Sequence, residues 1–180
     1  MSPRIAHLQM LAAYNRWMNE KVYASAARLD ATELAKDRGA FFGSILGTLH
    51  HLVLTDTMWL KRFANHPQQW TQLAPVRELP MPSAQEAKQV PALAGLAPRR
   101  IELDAWIQDW IPCIADEQLD GPLRYTNTRG EEHSRNFHGL LSHFFNHQTH
   151  HRGQVTTLLT QAGVDVGVTD LLLLVPEQTP

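Results

Sequence analysis

The sequence predicts an all-α protein: a four-helix bundle with a long connection between helices two and three and a small β-hairpin before helix four. Three observations carry this. Apolar residues recur at helical spacing in four separated stretches, roughly 4–29, 44–64, 99–118 and 138–163. Between the second and third, six prolines punctuate 65–98 and exclude a regular ladder there. One further stretch, 122–135, carries strand and turn signals.

The first helix presents Ile5, Leu8, Leu11, Ala12, Trp17, Val22, Ala26 and Leu29 on one face. Asp30 followed by Glu33 has the form of a cap and predicts a short helical turn. Residues 36–40 are a polar link. The second helix has a wide apolar face, from Ile45 and Leu46 to Leu60 and Phe63, with His50 and His51 in its middle. The 65–98 connection is too long for neighbouring antiparallel helices, so helix three can start at the far end and run parallel to helix two. Ser83 and Glu86 predict one short turn within it. The third helix carries Ile101, Leu103, Trp106, Trp110 and Ile114, and Pro112 is expected to kink or break it. Tyr125 and Thr128 favour strand and Arg129-Gly130 a turn, so a hairpin fits; alone it is marginal and must lean on the helices. The fourth helix ends near Gly163, a left-handed cap. The apolar run 164–174 is expected to pack back on the bundle or on a second subunit.

A chain of 180 residues suffices for one domain, 1–180, with a sizeable core. The 16 basic and 18 acidic residues nearly balance and no basic run stands out, so nothing supports a nucleic-acid surface. Cys113 is the only cysteine. That excludes an intrachain disulfide and a thiolate cluster, and Cys113 reads as a small core residue. The N-terminal stretch is too polar after Met10 for a secretion signal, and no apolar run is long enough to span a membrane. A cytoplasmic protein acting on a small molecule is the expectation. Ten histidines, five of them within 138–151, point to imidazole chemistry.

His143, His147 and His151 recur every four residues on the fourth helix. Imidazoles at i and i+4 can close on one metal ion, since their Cβ atoms lie about 5–6 Å apart. The bland alternative is a helix with histidines for solubility or core filling. Four histidines in nine residues beside Leu140, Leu141, Phe144 and Phe145 would then bury many nitrogens without partners, which favours a metal. A third ligand is expected from helix two. Adjacent residues diverge by about 100°, so only one of His50 and His51 can face the core, and periodicity does not choose between them. With no fourth protein ligand in sight, the site is open, as in catalytic rather than structural centres.

The chain resembles the DinB / YfiT-like group of metal-dependent helical-bundle proteins over nearly its whole length. The resemblance lies in Tyr14-Asn15-Arg16-Trp17-Met18-Asn19, in the stretch from Leu49 to Leu60 with His51, Asp56 and Trp59, and in the run from His143 to Arg152-Gly153-Gln154. It implies a metal site of His51, His147 and His151, and so selects His51 over His50. It also implies a homodimer. Zn²⁺ or Ni²⁺ suits three imidazoles. Family members of known activity include transferases using a low-molecular-weight thiol and an isomerase needing a thiol cofactor, so a thiol-dependent transferase is the first expectation. A metal-dependent hydrolase is the alternative, weakened because helix four lacks the glutamate of a His-Glu-x-x-His peptidase. A non-enzymatic, metal-stabilised stress-response bundle is the reading from another class. Asp56 is expected as a polar anchor rather than a ligand, Trp59 as core, His143 as support or core, and His150 as a hydrogen-bonding residue. Gly153 is expected to allow close helix approach, and His7, His66 and His133 to lie on the surface. Residues choosing the substrate are expected from the 65–98 connection and the hairpin.

Overall fold

Caps and prolines set where each element begins. The computed structural model describes residues 2–177, and the chain is mostly helical with one small antiparallel two-stranded sheet. Helix α1 spans Pro3–Ala26; the Ser2 hydroxyl accepts from Arg4 N–H, and Pro3 sits where no amide hydrogen is needed. Helix α2, Ala31–Ala35, is the turn expected after Asp30, whose carboxylate accepts from Glu33 N–H at 2.9 Å. Helix α3, Ile45–Ala64, is capped by Ser44, which accepts from Gly47 N–H at 3.0 Å.

The connection is shorter and more ordered than six prolines suggest. It holds a 3-10 turn at Thr71–Leu73, helix α4 at Ala74–Glu78 and a second 3-10 turn at Glu86–Lys88. Ser83 and Glu86 bond each other's backbone amides, and Lys61 of α3 donates to the carbonyls of Val76, Arg77 and Leu79. Helix α5, Leu93–Trp110, starts before the expected 99 and contains Pro98. The missing amide loses one helical hydrogen bond. Leu96, Leu103 and Ile107, all buried, hold the helix through that defect. It stops at Trp110 rather than 118, because Pro112 turns the chain into the 3-10 segment Ile111–Cys113. A further 3-10 turn, Asp116–Asp120, follows. Cys113 is exposed there, not buried as expected: the helix that would have placed it inside has already ended.

Strands β1, Pro122–Thr126, and β2, Glu132–Asn136, pair antiparallel with Leu123 opposite Arg135 and Tyr125 opposite His133. Buried Leu123 anchors this hairpin on the helices. Helix α6, Phe137–Gln161, follows at once; Asn136 caps it by accepting from Gly139 N–H, and Gly163 at φ +78° ends it.

Side-chain partners give the directions. Asp56 meets Arg100, and nearer both C-termini Phe63 stacks on Trp110, so α3 and α5 run the same way. The connection therefore carries the chain back to the start. Helix α6 opposes α3: His51 faces His147 while Phe63 meets Phe144 at 5.6 Å and Phe137 at 5.8 Å. Helix α1 opposes α5, with Asn19 on Asp104 and Arg16 on Gln108. Helices α1 and α3 each pack on both α5 and α6. Fully buried Phe63 sits where the ends of α3, α5 and α6 meet, a side chain contributing roughly 1.5–3 kcal/mol by burial. After α6, Val164 and Val166 return to the core and Tyr14 donates to Thr169 O at 2.7 Å. The 3-10 turn Leu171–Leu174 rests on α1 but leaves Leu172 and Leu173 exposed. Among the described residues no helix is long and apolar enough to cross a membrane.

Candidate metal centre

Helix geometry alone stacks His147 over His151 on one face of α6. The antiparallel crossing of α3 then brings His51 to them. His147 Nε2 lies 3.3 Å from His51 Nε2 and 3.1 Å from His151 Nε2, and one ligand atom from each of the three falls within a 4.8 Å circle. A tetrahedral ion with Zn–N bonds of about 2.0–2.1 Å would separate its nitrogens by about 3.4 Å, so the spacing fits a divalent cation. His151 Nδ1 lies 2.8 Å from Gln154 Oε1. An amide oxygen only accepts, so the proton sits on Nδ1 and the Nε2 lone pair points to the cluster. Gln154 Nε2 in turn reaches exposed His150 Nε2 at 3.3 Å, the hydrogen-bonding role expected of that residue.

The cluster is built for neutral imidazoles. Burial, then repulsion from His151 and His147, pushes His51 down to about 3. Burial, then His151, His143 and His150, pushes His147 down to about 4. His151 is lowered by burial as well. Metal ligation needs this deprotonated state.

Of the adjacent pair on α3, His51 turns to α6. His50 is buried on another side, toward Glu86 of the connection. His143 is exposed, edge-on to Trp59 at 5.2 Å, and stands outside the group of three. Trp59 is core, as expected. His7 is exposed, but His66 and His133 are half-buried: His66 stacks on Trp70 at 4.6 Å and His133 packs on Tyr125. Gly153 is exposed, and a Cβ there would meet nothing within 4 Å, so close helix approach does not explain it.

Asp56 is fully buried and stands outside the group of three imidazoles. It accepts from Arg100 Nη1 and, at 2.9 Å, from Gln148 Nε2. Arg100 also pairs with Asp104 at 2.9 Å, and Asp104 accepts from Asn15 and Asn19 of α1. Arg152 of α6 donates to Asn15 Oδ1 and lies over the Tyr14 ring at 5.5 Å. This network joins all four long helices. Burial raises Asp56 and Asp104 against the opposing pull of Arg100. Burial also opposes the charge of Arg100, yet Asp104 and Asp56 outweigh it and raise that group. Gln148 and Arg152 each neighbour a histidine of the cluster, so their bonds set the rotation of α6 that aims His147 and His151 at His51.

Sequence reasoning missed Phe42. Its ring stacks on His51 at 3.8 Å and 19°, and meets His151 edge-on at 5.4 Å. Gly43, at φ +73°, turns the chain into that position. Gly47 makes the approach possible: a Cβ there would stand 2.2 Å from Phe42 O. The signal was present as Phe-Phe-Gly before a Ser cap, but nothing local ties it to a histidine nine residues on.

A family model described as the DinB family matches residues 1–179. The chain belongs to the DinB family. It is also 29% identical over 161 residues to Protein DinB of Bacillus subtilis (strain 168), covering 89% of this chain and 88% of that one. In this DinB-family chain His51 of the three-histidine cluster lines one end of a cleft of about 620 Å³. Its walls come from α3, from Met81–Ala84 of the connection and from Thr126–Thr128 of the hairpin, the two segments expected to choose a substrate.

Proposed function

We propose that this chain is a metal-dependent enzyme whose divalent ion is held by His51, His147 and His151, with a thiol-dependent transfer as the favoured reaction. Zn²⁺ or Ni²⁺ suits the imidazole set. The observation carrying the reading is the convergence of three imidazoles, with His147 Nε2 3.3 Å from that of His51 and 3.1 Å from that of His151, and His151 held in the ligating tautomer by Gln154. A bound divalent ion would supply Lewis acidity, lowering the pKa of a water or thiol presented to it.

The chain's own groups account for the rest. Phe42 covers one side of the imidazoles, and Leu54, Met58 and Met81 make the cleft largely apolar, which keeps water from competing. No carboxylate lines the cleft among the described residues, and Asp56 is fully buried away from that cleft, with its Oδ2 bonded by Arg100 and Gln148. A hydrolase using a carboxylate base is thereby disfavoured against a reaction whose nucleophile is brought by a co-substrate. The buried ionic network already links α3 to α6, so a metal is not needed to hold those helices together. That argues against a purely structural ion. The same ring of helix contacts is read as a single four-helix-bundle domain. Exposed Leu172 and Leu173 on the α1 side fit the expected homodimer, which a monomeric mass in light scattering at micromolar concentration would refute.

Elemental analysis of purified variants tests the site. His51→Ala, His147→Ala and His151→Ala should each abolish stoichiometric metal, while His50→Ala should keep it. Metal retained in the first three refutes the assignment. Chelation of the wild type should remove thiol transfer to an electrophile panel while the melting transition persists.

A further inference from the structure

Arg62, at this cleft, is a buried arginine with no counter-charge among the described residues. It lies on α3, eleven positions beyond His51, about 16 Å of helical rise. The stripe His51, Thr55, Met58, Arg62 forms a continuous wall of the cleft. Arg62 is 7% exposed, and its guanidinium is held between the Trp59 ring at 4.7 Å and the Tyr125 ring at 5.0 Å. Among the described residues it makes no ion pair and no side-chain hydrogen bond, and its buried Nε finds no acceptor. Burial works against its charge, and only Tyr125 favours it.

The contrast with the other buried arginines is informative. Arg100 spends its charge on Asp56 and Asp104, and Arg152 is bonded to Asn15 and Thr149. Arg62 has its faces used by the aromatic rings and its planar edge of donors unused. A guanidinium stacked in this way is held rigid, and its fork matches a carboxylate. Hydroxyl and amide side chains at Thr126, Asn127 and Thr128 face the same space from the hairpin. Arg62 is also the only formally charged residue on the cleft walls among those described. One positive charge in an apolar cleft suits a monoanion better than a phosphate dianion.

We propose that Arg62 is an anion-binding residue, and that the molecule occupying the cleft carries a carboxylate at the Arg62 end and its reacting group at the three-histidine end. This rests on the reading of the cleft as the substrate site, and it adds the charge and length of the ligand. The apolar span between the two ends, along Met58 and Leu54, would take an aliphatic or aromatic segment.

The test is calorimetric titration of the full-length protein, both as purified and after chelation, with hexanoate, hexanamide and hexyl phosphate. Chelation prevents a carboxylate from binding an ion directly. Hexanoate should bind roughly tenfold or more tighter than hexanamide, the scale of a charge-assisted hydrogen-bond pair. Arg62→Gln should bring that ratio near one, and Arg62→Lys should keep part of it. Equal affinity for hexanoate and hexanamide in the wild type overturns the proposal, and so does an undiminished ratio in Arg62→Gln. Tighter binding of hexyl phosphate than of hexanoate overturns the carboxylate assignment. If Arg62→Gln does not fold, the wild-type ratio and Arg62→Lys decide. Metal content of the same samples separates the two readings: hexanoate preference without metal sinks the metal centre alone, and metal without preference sinks this proposal alone.

Discussion

Replacing Asp56 by Asn removes one charge from the buried network of ion pairs and hydrogen bonds that joins all four long helices. The side chain keeps its shape and can still bond Gln148, so the change isolates the charge. Two arginines, Arg100 and Arg152, then remain buried with a single carboxylate, Asp104. Breaking a buried pair by removing one partner costs about 3–5 kcal/mol. Arg100 retains Asp104 at 2.9 Å on its other fork, which places the expected loss near the lower end, about 3 kcal/mol. For a protein of this size that is a fall of roughly 6–12 °C in Tm. The assay is urea unfolding of the chelated protein at pH 7.5, where the midpoint should drop with the slope unchanged. Metal stoichiometry measured at low temperature should stay at the wild-type value, because Asp56 stands outside the group of three imidazoles. An unchanged midpoint would show that the network contributes no net stability. Lost metal in a folded Asp56→Asn protein would show that Asp56 is a ligand after all.

In the metal-free protein, stability should fall with acidification. An unfolded histidine titrates near 6.5, while the folded cluster holds His51 at about 3 and His147 at about 4. Between those values the unfolded chain binds protons that the folded site refuses, so stability is full above about 6.5 and declines as pH drops toward 4. A flat urea midpoint from pH 7.5 to 5 would contradict this. Gln154→Leu removes the acceptor of the His151 Nδ1 proton and should weaken metal binding about 10–100-fold in competition with a chromophoric chelator; unchanged affinity would mean the tautomer is set elsewhere. Gly47→Ala places a Cβ against Phe42 O, so the 40–44 turn must move and the Phe42 ring must leave His51. A loss of about 1–3 kcal/mol and weaker metal binding are expected; a neutral effect in both would count against Phe42 as the wall of the site.

The parts legible in advance were those set within one or two helical turns. Ser44, Asp30 and Asn136 each bond the amide three residues on, so element starts follow from local chemistry. The same holds for His147 over His151 and for the Gly163 stop. Pro98 shows the limit. A proline reads as a break, yet burial of Leu96, Leu103 and Ile107 against other helices carries α5 through it, and that packing has no local signature. Asn15 and Asn19 offered a partial signal, as polar residues on an otherwise apolar stripe of α1. Their partner Asp104 lies more than eighty positions away.

The sequence by itself determined four main helices, one hairpin, and a histidine pair whose i, i+4 spacing is a rigid property of the backbone. It narrowed the third imidazole to His50 or His51, and resemblance preferred the second. Only the tertiary structure decided that His51 lies 3.3 Å from His147, that Phe42 packs on His51 and His151, and that Arg62 is left without a counter-charge beside the cleft. The physical reason is the same in each case. Helical geometry determines neighbours four residues apart, whereas contacts between separate elements depend on how helices and loops rotate and cross. That rotation is set here by a buried polar network, with charges on α3, α5 and α6 and the Asn15 and Asn19 amides on α1.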